Sequence, residues 1–151
     1  MRTHVTGNAL ALSASASVDA SCNGKLTTKN LTYAWSISTA VDGLLPLVST
    51  STDRTAFQLP VYSLTPDTLY TVSVRVTYTV SGLSATSTAK VMVEQSDIVA
   101  VIGGASDVTL KALTTLQLDG STSYDEDINP STGANTGLTA GLSYAWACSQ
   151  L

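Results

Sequence analysis

Five residues occur almost twice in this chain. Leu31-Thr32-Tyr33-Ala34-Trp35 returns as Leu142-Ser143-Tyr144-Ala145-Trp146, with the two Trp residues 111 positions apart. That spacing is the length of one small all-β domain. Each copy follows a Ser-rich stretch of the same shape: Leu12-Ser13-Ala14-Ser15-Ala16-Ser17-Val18-Asp19 in the first, Leu118-Asp119-Gly120-Ser121-Thr122-Ser123-Tyr124-Asp125 in the second. Two landmarks in the same order predict a tandem repeat. The expected organisation is one complete module over residues 1–95 and the N-terminal half of a second over residues 96–151. The polar junction Glu94-Gln95-Ser96-Asp97 lies between them, and the loop from Asp125 to Gly141 takes up a small insertion in the second copy.

The local signals are those of strands. Leu31, Tyr33, Trp35 and Ile37 stand two apart and point to one side. Burying a Trp removes about 150–250 Å² from water, so Trp35 is expected as the core anchor with Tyr33 beside it. Tyr144 and Trp146 take the same roles in the second copy. Tyr70, Val72, Val74, Val76, Tyr78 and Val80 alternate with Thr71, Ser73, Arg75, Thr77 and Thr79, the pattern of an antiparallel strand with one dry face. Ser81-Gly82 turns the chain, and Ala85, Ala89, Val91 and Val93 line the returning strand. Shorter strands are predicted around Leu10–Leu12, Leu44–Leu45 and Thr55–Leu59, and no helix; the second repeat opens with Ile98–Ile102 before the turn Gly103-Gly104. Leu64-Thr65-Pro66-Asp67-Thr68-Leu69-Tyr70 has the form of a tyrosine corner, whose hydroxyl bonds back to upstream backbone. Charged residues make up only 12% of the chain, and abundant Thr and Val suit a pleated sheet. The fold class expected is an all-β, immunoglobulin-like Greek-key sandwich.

These residues resemble a known family. The order Leu-x-Ala-Ser-x-Ser-x-Asp, Tyr-x-Trp, then Tyr-x-Val-x-Val-x-Val is similar to the polycystic-kidney-disease (PKD) domain. It is most similar to the receptor-for-egg-jelly (REJ) region of polycystin-like surface proteins. Leu118–Asp125 matches the family's opening motif better than the first copy does, and Tyr144-Ala145-Trp146-Ala147-Cys148 resembles the Tyr-x-Trp-x-Cys of REJ regions. The segment at 64–70 is also similar to fibronectin type III domains. Ser36-Ile37-Ser38 stands where the simplest PKD pattern has Gly-Asp-Gly, which favours the REJ-like type. The resemblance implies a non-catalytic extracellular module that acts in adhesion or ligand binding or as a structural spacer. Its implied partners are neighbouring repeats and protein or carbohydrate ligands. The alternative is an accessory substrate-binding or linker module of a secreted hydrolase.

The inventory for chemistry is thin. A net charge of −4 without clustered Lys or Arg disfavours nucleic acid and anionic lipid as partners. No apolar run approaches the roughly 18–20 residues of a membrane span, and Met1–Val5 lacks the apolar region of a signal peptide. Membrane attachment is therefore expected only through an anchor elsewhere in a parent protein. One histidine, His4, and two distant cysteines supply neither a nucleophile–base pair nor four zinc ligands. Gly103-Gly104 lacks the form of a phosphate loop. No enzyme activity and no cofactor are expected apart from Ca2+, for which Asp125, Glu126, Asp127 and Asn129 offer oxygen ligands. They do not make an EF-hand, because Pro130 and Thr136 stand where Gly and Glu belong. Asn30-Leu31-Thr32 is a glycosylation sequon, whereas Pro130 excludes Asn129 from one. Cys22 and Cys148 occupy different places in different repeats. Each is either a free thiol or paired with a cysteine outside this chain, as an extracellular location allows; Cys148 and Ile37 both stand two residues after a Trp and are expected to point inward.

Overall fold

The computed structural model describes residues 2–19, 24–104 and 107–149. The chain divides into two compact units, Met1–Gln95 and Ser96–Leu151. The described strands of the first unit are β1 (Arg2–Val5), β2 (Leu10–Ser13), β3 (Val18–Asp19), β4 (Leu26–Thr27), β5 (Leu31–Thr39), β6 (Gly43–Leu45), β7 (Ala56–Leu59), β8 (Thr68–Tyr78) and β9 (Ser84–Glu94). A five-stranded sheet has the order β1-β9-β8-β5-β6, antiparallel except for the parallel β1–β9 pair. β2 pairs with β7, and β3 with β4, both antiparallel.

The alternation in β8 sets the sheet. Tyr70, Val72 and Val74 are buried on its inner face while Arg75 is exposed on the other. β5 and β9 flank it over nine and ten residue pairs. The strand stops at Tyr78 because a turn follows: Tyr78 N–H donates to Leu83 O (2.8 Å), and Gly82, at φ 74°, donates to Tyr78 O (2.9 Å). Glycine takes that left-handed backbone at no steric cost. Val80 therefore lies exposed in the turn instead of extending the dry face, a correction to the sequence pattern.

One core joins two layers. Leu10 and Leu12 of β2 and Phe57 and Leu59 of β7 pack with Ile37, Tyr70, Val72, Val91 and Val93 of the five-stranded sheet, and Leu64 closes the cluster from a loop. The pentapeptide strand alternates as its spacing predicts, but Trp35 is not the deepest anchor. Ile37 and Phe57 are 0% and 1% exposed, whereas Trp35 is half-buried against the cluster. Its ring tilts by 30° over Phe57 with centroids 5.6 Å apart, and its Nε1–H donates to Arg54 O (3.0 Å). The indole N–H needs a polar partner, and that partner sits on a loop at the edge of the core. Tyr70 is buried, and its hydroxyl accepts the N–H of Thr65 at 2.9 Å. Asp67, at φ 55°, lets the chain turn between them.

The second unit is built differently. β10 (Ile98–Val99) pairs with β11 (Tyr124–Asp125), isolated bridges join Gly103 to Asp119 and Tyr124 to Thr136, and two short 3-10 turns occupy Pro130–Thr132 and Gly137–Ala140. Ser123 is buried, and its hydroxyl accepts Val101 N–H (2.9 Å) and donates to Val101 O (3.2 Å). The second pentapeptide is not a strand, and Tyr144 and Trp146 are 40% and 53% exposed, contrary to their expected place in a core. In the first unit the equivalent strand is held by β8 on one edge and β6 on the other. Among the described residues of the second unit no strand takes either place. Cys148 is likewise exposed and not inward.

Three stability outcomes follow from this packing. Tyr70→Phe should cost about 1–2 kcal/mol by leaving the Thr65 N–H without its acceptor. Phe57→Ala should cost about 3–5 kcal/mol and Trp35→Ala clearly less; equal losses in urea melts would contradict the depth assignment. Burial on β1 lowers the His4 pKa below 6.5, only partly offset by its hydrogen bond with Asn8. The unfolded chain then binds the proton first, so stability should fall as pH drops through 6.5 and the folded pKa below it. His4→Gln should remove that slope from melts run across the window.

Candidate functional site

The buried core fills only one end of the first unit. Along β2 and its extension the inward side chains are Leu10, Leu12, Ala14 and Ala16, passing from buried to half-buried. Along the inner face of β9, Val93 and Val91 are buried, Ala89 is half-buried, and Ser87 and Ala85 are exposed. Both walls thus taper from large to small side chains toward the same end. Between them lies a trough of about 370 Å³, floored by Trp35, Val72, Val74 and Val76. More open hollows adjoin it at Ala16: one of about 590 Å³ reaches Tyr33, Asp53 and Arg54, and one of about 190 Å³ reaches Tyr78. The trough has the size of a ligand site, roughly 300–1,000 Å³. Its lining is aliphatic, aromatic and hydroxyl, without an acid, base or thiol. Such a site can bind but has no group to move a proton. Sequence reasoning did not find it, although the signal is there: Leu-x-Leu-x-Ala-x-Ala grades downward in size at constant period.

The oxygens of the acidic loop accept backbone hydrogen bonds. Asp125 Oδ1 accepts the N–H of Asp127 (2.8 Å), Asp127 Oδ2 accepts that of Ser96 (3.0 Å), and Asn129 Oδ1 accepts that of Ser131 (2.9 Å). The Asp125 and Asn129 bonds, each to backbone two residues on, build turns, whereas the Asp127 bond ties the loop to the start of the second unit. Among the described residues no three His, Cys, Asp or Glu side chains gather where a metal ion would sit. The same habit recurs elsewhere: Asp19 accepts Gly24 N–H (2.7 Å), Asp53 accepts Thr55 N–H (2.9 Å), and Asp119 accepts Ser121 N–H (2.8 Å). These backbone bonds, from Thr55 and Ser121 respectively, hold the Asp53 and Asp119 carboxyls below the usual carboxylate range.

The remaining predicted residues are scattered. Asn30 is exposed in a left-handed conformation (φ 59°) at the start of β5, and its carbonyl accepts both the N–H and the hydroxyl of Thr79 (2.9 and 3.1 Å). Thr32 of the sequon donates its hydroxyl to Thr77 O (3.3 Å). Tyr33 is half-buried on the same face of β5 as Trp35. His4 stands opposite Val93 in the β1–β9 ladder. Cys22 lies outside the described residues, and Cys148 is an exposed free thiol. In the second unit Gly120 has a packing role that composition did not reveal. A Cβ there would meet the Tyr144 ring at 3.1 Å and the Trp146 ring at 3.3 Å.

Among the described residues no helix is long and apolar enough to cross a membrane. Comparison with known proteins places the chain more narrowly than the geometry does. It is 29% identical over 124 residues to polycystin-1-like protein 1 of Oryzias latipes, an alignment covering 80% of this chain and 4% of that protein. The chain therefore spans a small fraction of the relative it matches. No solved structure matches it. Residues 8–151, from just before β2 through the second pentapeptide, match the REJ domain, and with both Ser-rich and Trp landmarks inside that span the chain belongs to the REJ domain family.

Proposed function

We propose that this chain is a non-catalytic, extracellular module of a cell-surface protein, acting in adhesion or ligand binding or as a spacer between neighbouring repeats. The observation that carries this reading is the REJ match across residues 8–151. The side-chain chemistry supports it: the carboxylates of Asp19, Asp53, Asp119 and Asp125 each accept a nearby backbone N–H and so stabilise turns, and that of Asp127 accepts Ser96 N–H across the second unit. The first unit reads best as an immunoglobulin-like Greek-key sandwich. Support comes from its β1-β9-β8-β5-β6 sheet facing β2–β7 and from the Tyr70 hydroxyl bonded to Thr65. An exterior setting also makes Asn30 a glycan acceptor, since its side chain is exposed at a turn.

Two measurements test the proposal. Secreted from eukaryotic cells behind a leader peptide, the chain should carry an enzymatically removable N-glycan that Asn30→Gln abolishes. Retention of misfolded chain, or absence of the glycan from folded chain, would count against an exterior role. Second, the reading frame of the full-length protein should hold further repeats and a membrane span. An adjoining catalytic domain would instead make the module an accessory of a hydrolase and sink the proposal.

A further inference from the structure

The outward face of the five-stranded sheet has an unusual composition for a surface. Side chains alternate across a strand, so the residues of β5, β8 and β9 that stand between the core residues form this face. Their pairing sets them in rows: Thr32, Thr77 and Ser84 in one, Ser36, Ser73 and Thr88 in another. Between and beside these rows stand Thr86, Ser38 and Thr71, with one alanine and the cations Arg75 and Lys90. These rows contain no carboxylate and no aromatic ring. Solvated faces ordinarily carry charged side chains of both signs, whereas this one carries mostly short hydroxyls. A strand placed beside β9 would lie in the plane of the sheet and leave this face as it is.

The hydroxyls are not equivalent. On β5 and β8, Ser36, Ser38, Thr71, Ser73 and Thr77 are half-buried, and the hydroxyls of Thr32 and Ser38 donate to Thr77 O (3.3 Å) and Thr71 O (3.4 Å). On β9, Ser84, Thr86 and Thr88 are all exposed. Ser84 Oγ accepts from Arg75 Nε (3.2 Å) and Nη2 (3.0 Å). Among the described residues the Thr86 and Thr88 hydroxyls bond to no protein group. A protein partner is poorly matched to this face, because interface cores are rich in aromatic side chains and poor in serine. A free small ligand needs a concave and largely apolar site, which these hydroxyls do not make. A covalent group needs only an exposed nucleophile with room above it. Ser73, opposite Thr88, is short, and Arg75, opposite Thr86, is drawn aside to Ser84. At about 3.3 Å per residue the two threonines stand roughly 6.6 Å apart, wide enough for one sugar ring each.

We infer that Thr86 and Thr88 are sites of O-linked glycosylation, the sugars solvating a face that lacks the usual charge. The step joins threonine Oγ to C1 of an activated sugar. The bond from C1 to the phosphate of its nucleotide or lipid carrier breaks, and the phosphate leaves with the electron pair. A base of the transferring enzyme takes the hydroxyl proton. This assignment rests on the exterior setting proposed above, and its test separates the two. The whole chain is secreted from animal cells behind a leader peptide, and N-glycans are removed enzymatically. Its intact mass should then exceed that of the polypeptide by whole sugar residues, and electron-transfer fragmentation should place them on Thr86 and Thr88. The increment itself tells a hexose from an N-acetylhexosamine. Thr86→Val with Thr88→Val keeps β-branched side chains on the strand; it should remove the increment and leave urea unfolding cooperative. Should that variant fail to fold, the fragment map of the unaltered chain decides alone. Folded, secreted chain without an O-linked increment overturns the assignment. So does an increment that maps to other hydroxyls, such as those of residues 49–52, or one that survives in the double variant. The Asn30 glycan reports the exterior setting independently, so either reading can fail without the other.

Discussion

The register of β8 governs the first unit. Its inner side chains Tyr70, Val72 and Val74 form the middle of the core, and its two edges carry the ladders to β5 and β9. A slip of one residue would turn every one of those side chains to water and bring Arg75 inward. Burying the three removes several hundred Å² of apolar surface, so no alternative register competes. The Tyr70 hydroxyl, fixed to Thr65, pins the entry of the strand at the end where packing is tightest. The parallel β1 ladder and the fully buried Val91 and Val93 lie at that same end. Register, corner and edge strand thus reinforce one another over half of the sandwich.

The other half is held by backbone more than by side chains. From Val74 onward the strands remain paired, but the inner side chains of β9 shrink to Ala and Ser and those of the facing chain after β2 to Ala. Each small residue forgoes the transfer free energy of a larger one, about 0.8 kcal/mol per missing buried methylene. The difference between the two ends is therefore one of filling and not of topology. Local opening concentrates where buried apolar contact is sparse, and recognition tends to occur there for the same reason. A well-packed end supplies the rigidity that a loosely packed end needs if it is to present a fixed surface.

Much of this was legible in the sequence. Strict alternation over Tyr70–Tyr78 reports which face is dry, and the Leu-x-Pro-x-Thr-x-Tyr run reports the corner, because both depend on local geometry. Depth was not legible. Period-two spacing assigns Trp35 to the inner face but cannot say that Phe57, from a strand further along the chain, fills the centre and leaves the indole at the rim to reach Arg54. The acidic loop shows what composition leaves out. Asp125 and Asn129 each accept a backbone N–H two residues on, and Asp127 accepts that of Ser96. Composition counts ligands; it does not aim them. The second pentapeptide reads as a strand by sequence, and a strand exists only with a neighbour to pair with.

The two repeated landmarks have a physical reason to travel together. In the first copy Ala14 of the Ser-rich stretch and Trp35 of the pentapeptide line one trough. In the second copy the residue at the Ala14 place is Gly120, and the Tyr144 and Trp146 rings lie so close to it that a Cβ would fall inside ordinary contact distance. The ladder that positions the first Trp is missing around the second, yet the aromatic residues still meet the third position of the Ser-rich stretch. Small residues there admit rings in both copies, by different routes. Ala14 leaves an open trough above a laddered strand, and Gly120 brings the rings against the backbone itself. A bulky residue at the Gly120 place would be excluded by the rings it faces, whereas Ala14 and Trp35 share the lining of an open trough. In both copies the third position of the Ser-rich stretch and the Trp of the pentapeptide come to one place.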